Sequence, residues 1–389
     1  MMSDSIRSLK DLLAQVSARR ILDVQMDEDM GIDERLAFPF LALVGQNEMK
    51  LALLLSLINP NIGGVLLLGP RGTGKTTAVR SLVDLLPKVD RSRCPYGCLP
   101  EDVETGGIEA ICPQCAERHA HGEPLTYLDR VRLIDLPLNA RLEDVVGGID
   151  TRAAMHDRIR LKRGLLAQAD RNLLYVDEVN LLEDDIVDSI LDAAAQGSYT
   201  VYRGPISATY RSRFTLIGSM NPEEGQLRPQ IMDRFGLRAI VRGLSNPEDR
   251  LEAYRRSLAF KNHPRAMIQT YADATQYARI ELDLAREKLP HVILTQNAER
   301  YGLELVQTMG IESLRAEITL FEAARAHATA DGREKATADD VRITAPLALR
   351  LRRSPFMVEY FNHQAQEEDE LTNALDATLP GLEEPSEGE

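Results

Sequence analysis

No stretch of this chain approaches the roughly 18 consecutive apolar residues of a membrane-spanning helix, and its first residues, with Asp4 early and no apolar core, do not read as a secretion signal. A cytoplasmic protein without a membrane span is the expectation. Nor do basic residues dominate: 46 Lys and Arg stand against 60 Asp and Glu, a net charge of −14. Nine of those acids lie in residues 367–389, which hold no Lys or Arg. That run reads as a solvated, disordered tail. The rest is near charge balance, so no nucleic acid is expected as a partner. Cysteine is scarce as well, with four residues confined to positions 94–115, and in a reducing compartment these do not read as structural disulfides. No repeat at a fixed period is present.

What is present begins with Gly69-Pro70-Arg71-Gly72-Thr73-Gly74-Lys75-Thr76, directly after the apolar run Gly64-Val65-Leu66-Leu67-Leu68. This is the phosphate-binding pattern G-x-x-x-x-G-K-[ST] in its strand, loop and helix context. The glycines let successive backbone N–H groups face an anion. Lys75 can reach the β and γ phosphates of a nucleotide, and Thr76 offers a hydroxyl to Mg²⁺. Val44 and Thr77 are placed with these residues as nucleotide contacts.

Leu173-Leu174-Tyr175-Val176-Asp177-Glu178 supplies the second signal, an apolar strand ending in two carboxylates. This Walker B pattern carries Asp177 to the Mg²⁺ shell and lets Glu178 orient the attacking water. A strand over Phe214–Ile217 is followed by Ser219-Met220-Asn221-Pro222, where Asn221 can hydrogen-bond the water or the γ phosphate, although Asn-Pro is more often a turn. Arg234 follows closely, and Arg315 opens a helix further on. An arginine from a neighbouring subunit stabilises charge on a transferred phosphoryl group, and one from a helical domain reports nucleotide state by closing on it.

Strand candidates at Val131–Leu136, Leu173–Val176 and Phe214–Ile217 alternate with helical segments, predicting an α/β fold: a parallel sheet with helices on both faces. From Asn246 the texture changes to long charged helices over 247–259, 266–288, 298–309 and 311–330. The expected organisation is an N-terminal extension (1–37), an ATPase core (38–245) with a cysteine-bearing insert (88–129), a helical lid (246–355) and the acidic tail (356–389).

The chain resembles the AAA+ ATPases and, within them, subunit I of magnesium chelatase. The likeness runs through Phe38-Pro39-Phe40-Leu41-Ala42-Leu43-Val44-Gly45-Gln46, the phosphate loop, Asp135-Leu136-Pro137-Leu138, Val176-Asp177-Glu178-Val179-Asn180-Leu181-Leu182, Gly218-Ser219-Met220-Asn221-Pro222 and Asp233-Arg234-Phe235-Gly236, within residues 38–355. It implies an AAA+ P-loop sheet with a C-terminal helical lid, ATP and Mg²⁺ as ligands, and a homo-oligomeric, often hexameric ring. That ring works with an integrin-domain AAA+ subunit and a large porphyrin-binding subunit, inserting Mg²⁺ into protoporphyrin IX on the way to chlorophylls and bacteriochlorophylls. Lys75, Thr76, Asp177 and Glu178 would match the ATP and Mg²⁺ residues, Asn221 sensor 1, Arg234 the trans-acting finger and Arg315 sensor 2. No Asp-x-Ser-x-Ser metal site of an integrin-like domain is present, which makes this the motor subunit. A MoxR- or cobaltochelatase-type ATPase acting on another metal-dependent client, and an ATP-binding scaffold without turnover, stay open as alternatives.

The sequence departs from more familiar members at Cys94-Pro95-Tyr96-Gly97-Cys98 and Cys112-Pro113-Gln114-Cys115. Spacings of C-x₃-C and C-x₂-C fit a tetrahedral Zn²⁺ held by two knuckles. A redox-responsive dithiol, free thiols or an iron–sulfur site remain open. His119 and His121 read as surface residues. Because this segment connects a helix to a strand, the cluster is expected at the face of the sheet remote from the nucleotide.

Overall fold

The computed structural model describes residues 36–149, 161–203, 206–225 and 227–353. The N-terminal extension, apart from its last two residues, and the acidic tail lie outside the described residues. Eleven strands in chain order define the core: β1 (Val65–Leu68), β2 (Lys88–Ser92), β3 (Thr126–Arg130), β4 (Leu133–Leu136), β5 (Gly147–Ile149), β6 (Leu161–Arg163), β7 (Leu173–Val176), β8 (Ser198–Arg203), β9 (Ile206–Arg211), β10 (Thr215–Met220) and β11 (Leu237–Ile240). Five of them form one sheet in the order β11-β1-β10-β7-β4. Every pairing in it is parallel, with Val65 opposite Ile217 and Leu237, and Leu173 opposite Thr215 and Leu133.

Side chains alternate across a strand, and here both faces are covered. Val65 and Leu67 of β1, with Leu173 and Tyr175 of β7, enter one apolar cluster; Leu66, Leu68, Leu174 and Val176 enter the other. These strands therefore read as continuous apolar runs, as parallel strands buried on both faces do. The helix Asn47–Ile58 is buried almost all round, because the sheet lies on one side of it and a helical domain on the other.

That domain consists of Pro247–Asn262, Pro264–Lys288, Gln296–Thr308, Leu314–Ala330 and Ala338–Leu349. Asn246 caps its first helix by accepting from the Glu248 amide at 3.0 Å, with Pro247 in the first turn, where a missing N–H costs nothing. Leu314–Ala330 packs on both Asn47–Ile58 and Ala338–Leu349 through buried Ala323, Ala324, Ala326 and Ala328, small side chains that let the helices approach closely. Gly302 serves the same purpose, since a Cβ there would lie 2.4 Å from Phe321. Asn59 ties the two domains by donating to Glu322 Oε2 at 2.6 Å.

Three antiparallel hairpins, β2–β3, β5–β6 and β8–β9, are added to this frame. The cysteines lie between β2 and β3. No helix among the described residues is long and apolar enough to cross a membrane.

Candidate active site

The sheet brings the two leading motifs together because β1 and β7 flank β10, so the loop after β1 and the carboxylates after β7 leave the same sheet edge. Gly72 and Gly74 have φ of +78° and +88°, and a Cβ on either would meet nothing within 4 Å. The loop is thus an open cradle of left-handed glycines, which suits a phosphate chain. Lys75 is buried, and its ammonium donates to the Gly69 and Pro70 carbonyls at 2.6 and 2.9 Å. Burial lowers its pKa, while Asp177, Glu178 and Glu224 act in the opposite direction.

Asp177 sits in a hydrogen-bond net that the sequence reading missed. The Tyr175 phenol donates to Asp177 Oδ1 at 2.8 Å, the Ser219 hydroxyl donates to the same oxygen, and Thr76 reaches Oδ2 at 3.4 Å. Tyr175 is 2% exposed, and burial pushes its pKa up, keeping it a donor. The only signals were a hydroxyl in an otherwise aliphatic strand and a serine two residues before Asn221. The donor set of Thr76 and Asp177, hard oxygens side by side at the foot of the phosphate cradle, fits Mg²⁺.

Glu178 has φ +51°, a left-handed turn that swings its carboxylate off the strand line. Its amide donates to Ser219 Oγ at 3.2 Å. Its Oε1 meets Arg71 Nη2 at 3.2 Å, and Arg71 Nε meets Glu224 at 2.6 Å. Arg71, a predicted nucleotide contact, therefore bridges two carboxylates. Asn221 is 4% exposed, and its Oδ1 accepts from the Glu223 amide at 3.3 Å, the turn use of Asn-Pro. Neither the Nδ2 nor the Oδ1 of nearby Asn180 has a partner.

Beside the loop lies a cavity of 380 Å³, lined by Val44, Gln46, Gly74, Thr77, Leu244 and Arg250 among others, a size within the usual range for a small-ligand site. Val44 and Thr77 thus line the cavity as expected, whereas Gln46 and Arg250 were missed. Gln46 has φ +53° and donates to the Arg242 carbonyl at 2.6 Å, closing the cavity wall.

The two arginines lie elsewhere. Arg234 ends the helix Pro229–Arg234 and pairs with Asp192 at 2.5 Å and Asp188 at 3.7 Å on the helix Asp184–Gln196. Arg315 is not brought to the phosphate loop: among the described residues its ion partner is Asp233, at 3.9 Å. Arg315 thus stands at the Asp233 corner of the molecule. The lid docks with the start of Leu314–Ala330 against the Arg234 corner, and Arg250 of the first lid helix faces the cavity instead.

All four cysteines converge, with sulfurs within 4.8 Å of one another. The Cys98 and Cys112 amides donate to the sulfurs of Cys94 and Cys98, each at 3.3 Å. Hydrogen bonding from Cys98 holds the Cys94 thiol low, at about 4. The insert touches residues that precede β7: Arg171 donates to the Asp90 carbonyl at 2.6 Å, and Arg91 to Asn172 at 2.9 Å. That places it at the amino ends of the strands, away from the phosphate loop.

Known proteins resemble this chain over most of its length. Residues 149–233 match the family described as magnesium chelatase, subunit ChlI, and residues 303–374 match the AAA lid domain. The chain is 41% identical to a magnesium-chelatase subunit ChlI homolog of Methanocaldococcus jannaschii, over 85% of this chain and 90% of that one. It is 42% identical to the magnesium-chelatase 38 kDa subunit of Acidiphilium rubrum, over 82% and 92%. A crystal structure from Cytophaga hutchinsonii, 20% identical, covers 80% of this chain and 83% of its own at a TM-score of 0.52, a likeness of fold. The chain belongs to the magnesium-chelatase subunit I family of AAA+ ATPases.

Proposed function

We propose that this chain is the motor subunit of a magnesium chelatase, hydrolysing ATP to drive Mg²⁺ insertion into protoporphyrin IX in chlorophyll or bacteriochlorophyll formation. The observation that carries the ATPase reading is Asp177, fixed by Tyr175 and Ser219 beside Thr76, with Glu178 turned out one residue later. Lys75 exchanges the Gly69 and Pro70 carbonyls for β and γ phosphate oxygens, and the loop amides cradle the chain of phosphates. Thr76 and Asp177 would hold Mg²⁺, which neutralises charge on those oxygens. Glu178 positions and polarises the attacking water once Arg71 lets it go, and Asn221, freed from its turn, fixes the same water.

Arg234 and Arg315 flank Asp233 and pair with acids of their own chain rather than with the phosphate loop. This supports a ring in which both reach the nucleotide of a neighbouring copy, so that Arg234 supplies charge in the transition state. An integrin-domain AAA+ subunit and a porphyrin-binding subunit complete the assembly. We also read the four cysteines as a structural Zn²⁺ site separate from the ATP chemistry, because all four sulfurs share one shell.

The test of the ATPase reading is Glu178→Gln. Nucleotide affinity should stay within about twofold while turnover falls by about 10²-fold or more. Near-normal hydrolysis by that variant would remove Glu178 from the chemistry.

A further inference from the structure

The hairpin β8–β9 feeds directly into β10, the strand that carries Ser219 and leads to Asn221. Its last residues are gripped from outside by the cysteine insert at three points. Tyr96, inside the first knuckle, stacks on Tyr210 with ring centroids 5.7 Å apart and planes 14° from parallel. Gly97 lies flat on Arg211, where a Cβ would come 3.1 Å from the Arg211 Cβ, and its φ of +82° also calls for glycine. Asp102 pairs with the Arg211 guanidinium, while its other oxygen caps the helix Pro100–Gly106 by accepting from the Leu99 amide at 2.7 Å.

The insert has little else to hold its shape. Its buried apolar cluster consists of Cys94, Cys98, Ile111, Cys115 and Leu125, so three of its five members are cysteines. A core this small does not order a loop of this length unaided. Tetrahedral Zn²⁺ with bonds of about 2.3 Å sets its sulfurs about 3.8 Å apart, within the spacing seen here. The amide-to-sulfur bonds accepted by Cys94 and Cys98 of the first knuckle, and the Ser92 hydroxyl on Cys94, 3.3 Å away, suit thiolate ligands. A single disulfide would leave two sulfurs of the same shell unused.

We propose that a Zn²⁺ ion held by Cys94, Cys98, Cys112 and Cys115 makes the insert a rigid clamp that fixes the root of the β8–β9 hairpin where the chain enters the sensor strand. The inference rests on the zinc reading of the cysteines and adds a mechanical partner within the same chain. Through Tyr96, Gly97 and Asp102 the ion's order passes to Tyr210 and Arg211, and from there to Ser212, whose hydroxyl donates to the Leu166 carbonyl at 2.9 Å. The nucleotide loop, at the other end of the sheet, is outside this chain of contacts.

Three measurements on the full chain separate the two claims. Metal analysis of protein purified without chelator should give about one Zn²⁺ per chain, lost in Cys112→Ser/Cys115→Ser; iron or no metal overturns the zinc reading. Hydrogen exchange of peptides covering 198–211 should quicken by roughly tenfold on zinc removal, as an aromatic stack and a part-buried ion pair are lost. Fluorescent ATP-analogue affinity should stay within about twofold, because the phosphate loop lies at the carboxyl ends of the strands. Tyr96→Ala/Asp102→Ala should keep its zinc yet show the same loosening, and this variant serves if the cysteine variant does not fold. Unchanged exchange in 198–211 with zinc present, in that variant, overturns the clamp and leaves the zinc site standing.

Discussion

Replacing Asp233 with Asn removes one charge on which the docking of the lid converges. The Asp233 carboxylate accepts from Arg352 Nη1 at 2.6 Å and from Ser313 at 2.9 Å, both on the lid side, and lies 3.5 Å from Arg238 of β11. The side chains of Arg238 and Arg352 are 0% exposed, and Asp233 itself is 28% exposed. Breaking a buried ion pair by deleting one partner costs about 3–5 kcal/mol. Two features hold the loss to the lower end. The guanidinium of Arg238 keeps the Arg350 and Met232 carbonyls at 2.8 and 2.7 Å, and Arg352 keeps those of Ala348 and Gly236 at 2.6 and 3.0 Å. Water also reaches part of the carboxylate, so about 3 kcal/mol is expected. In urea that is a midpoint lowered by about 1 M for an m value of about 3 kcal/mol/M. ATPase should fall as well, because Arg234 is the next residue. A variant within about 0.5 kcal/mol of the parent chain would refute the view that this carboxylate holds lid to core.

Three further outcomes are expected. An equimolar mixture of Arg234→Ala and Glu178→Gln chains should regain ATPase, since about a quarter of the interfaces in a mixed ring pair an intact Glu178 with an intact Arg234; mixed rings that stay inactive would exclude the trans role. Tyr175→Phe should weaken Mg²⁺-dependent nucleotide turnover by about tenfold, the loss of one charge-assisted hydrogen bond, without changing the metal-free nucleotide affinity measured by titration. Burial pushes the Asp340 carboxyl up, but hydrogen bonds from Arg333, His327 and Thr337 outweigh it and hold it well below the usual carboxylate range. Its stabilisation is therefore complete above the unfolded value of about 4 and lost as pH falls through the folded value. The stability gap between the parent chain and Asp340→Asn should accordingly be full at neutral pH and close in acid, and a pH-independent gap would contradict this.

Features whose physics is local were legible in the sequence. The phosphate loop, the strand before it and the Walker B strand are runs of neighbouring residues, and β1 and β7 lie where Val65–Leu68 and Leu173–Val176 pointed. The strand expected from Val131 starts at Leu133, and the one expected to end at Ile217 continues to Met220. The hairpin β8–β9 was missed although Ser198–Arg203 alternates, because its tyrosines and threonines do not form an apolar run. Ser219 as a partner of Asp177, and Arg315 as a partner of Asp233, were out of reach for another reason: each contact joins strands or domains far apart in sequence, and its geometry is set by docking rather than by spacing. Tyr175 stands only two residues before Asp177, so strand alternation alone puts the two on one side. Asn221 was expected to meet the attacking water or the γ phosphate, with the turn bond it makes here as the alternative from Asn-Pro, and the bridge of Arg71 to Glu178 and Glu224 was not foreseen.

The central claim, that hydrolysis at Glu178 powers Mg²⁺ insertion, is tested most directly by reconstitution. The chain would be combined with the integrin-domain and porphyrin-binding subunits, protoporphyrin IX, ATP and Mg²⁺, and the fluorescence of Mg-protoporphyrin followed with time. The parent chain should support steady product formation and Glu178→Gln none. Equal rates with the two chains, or product formed without this chain at all, would contradict the account.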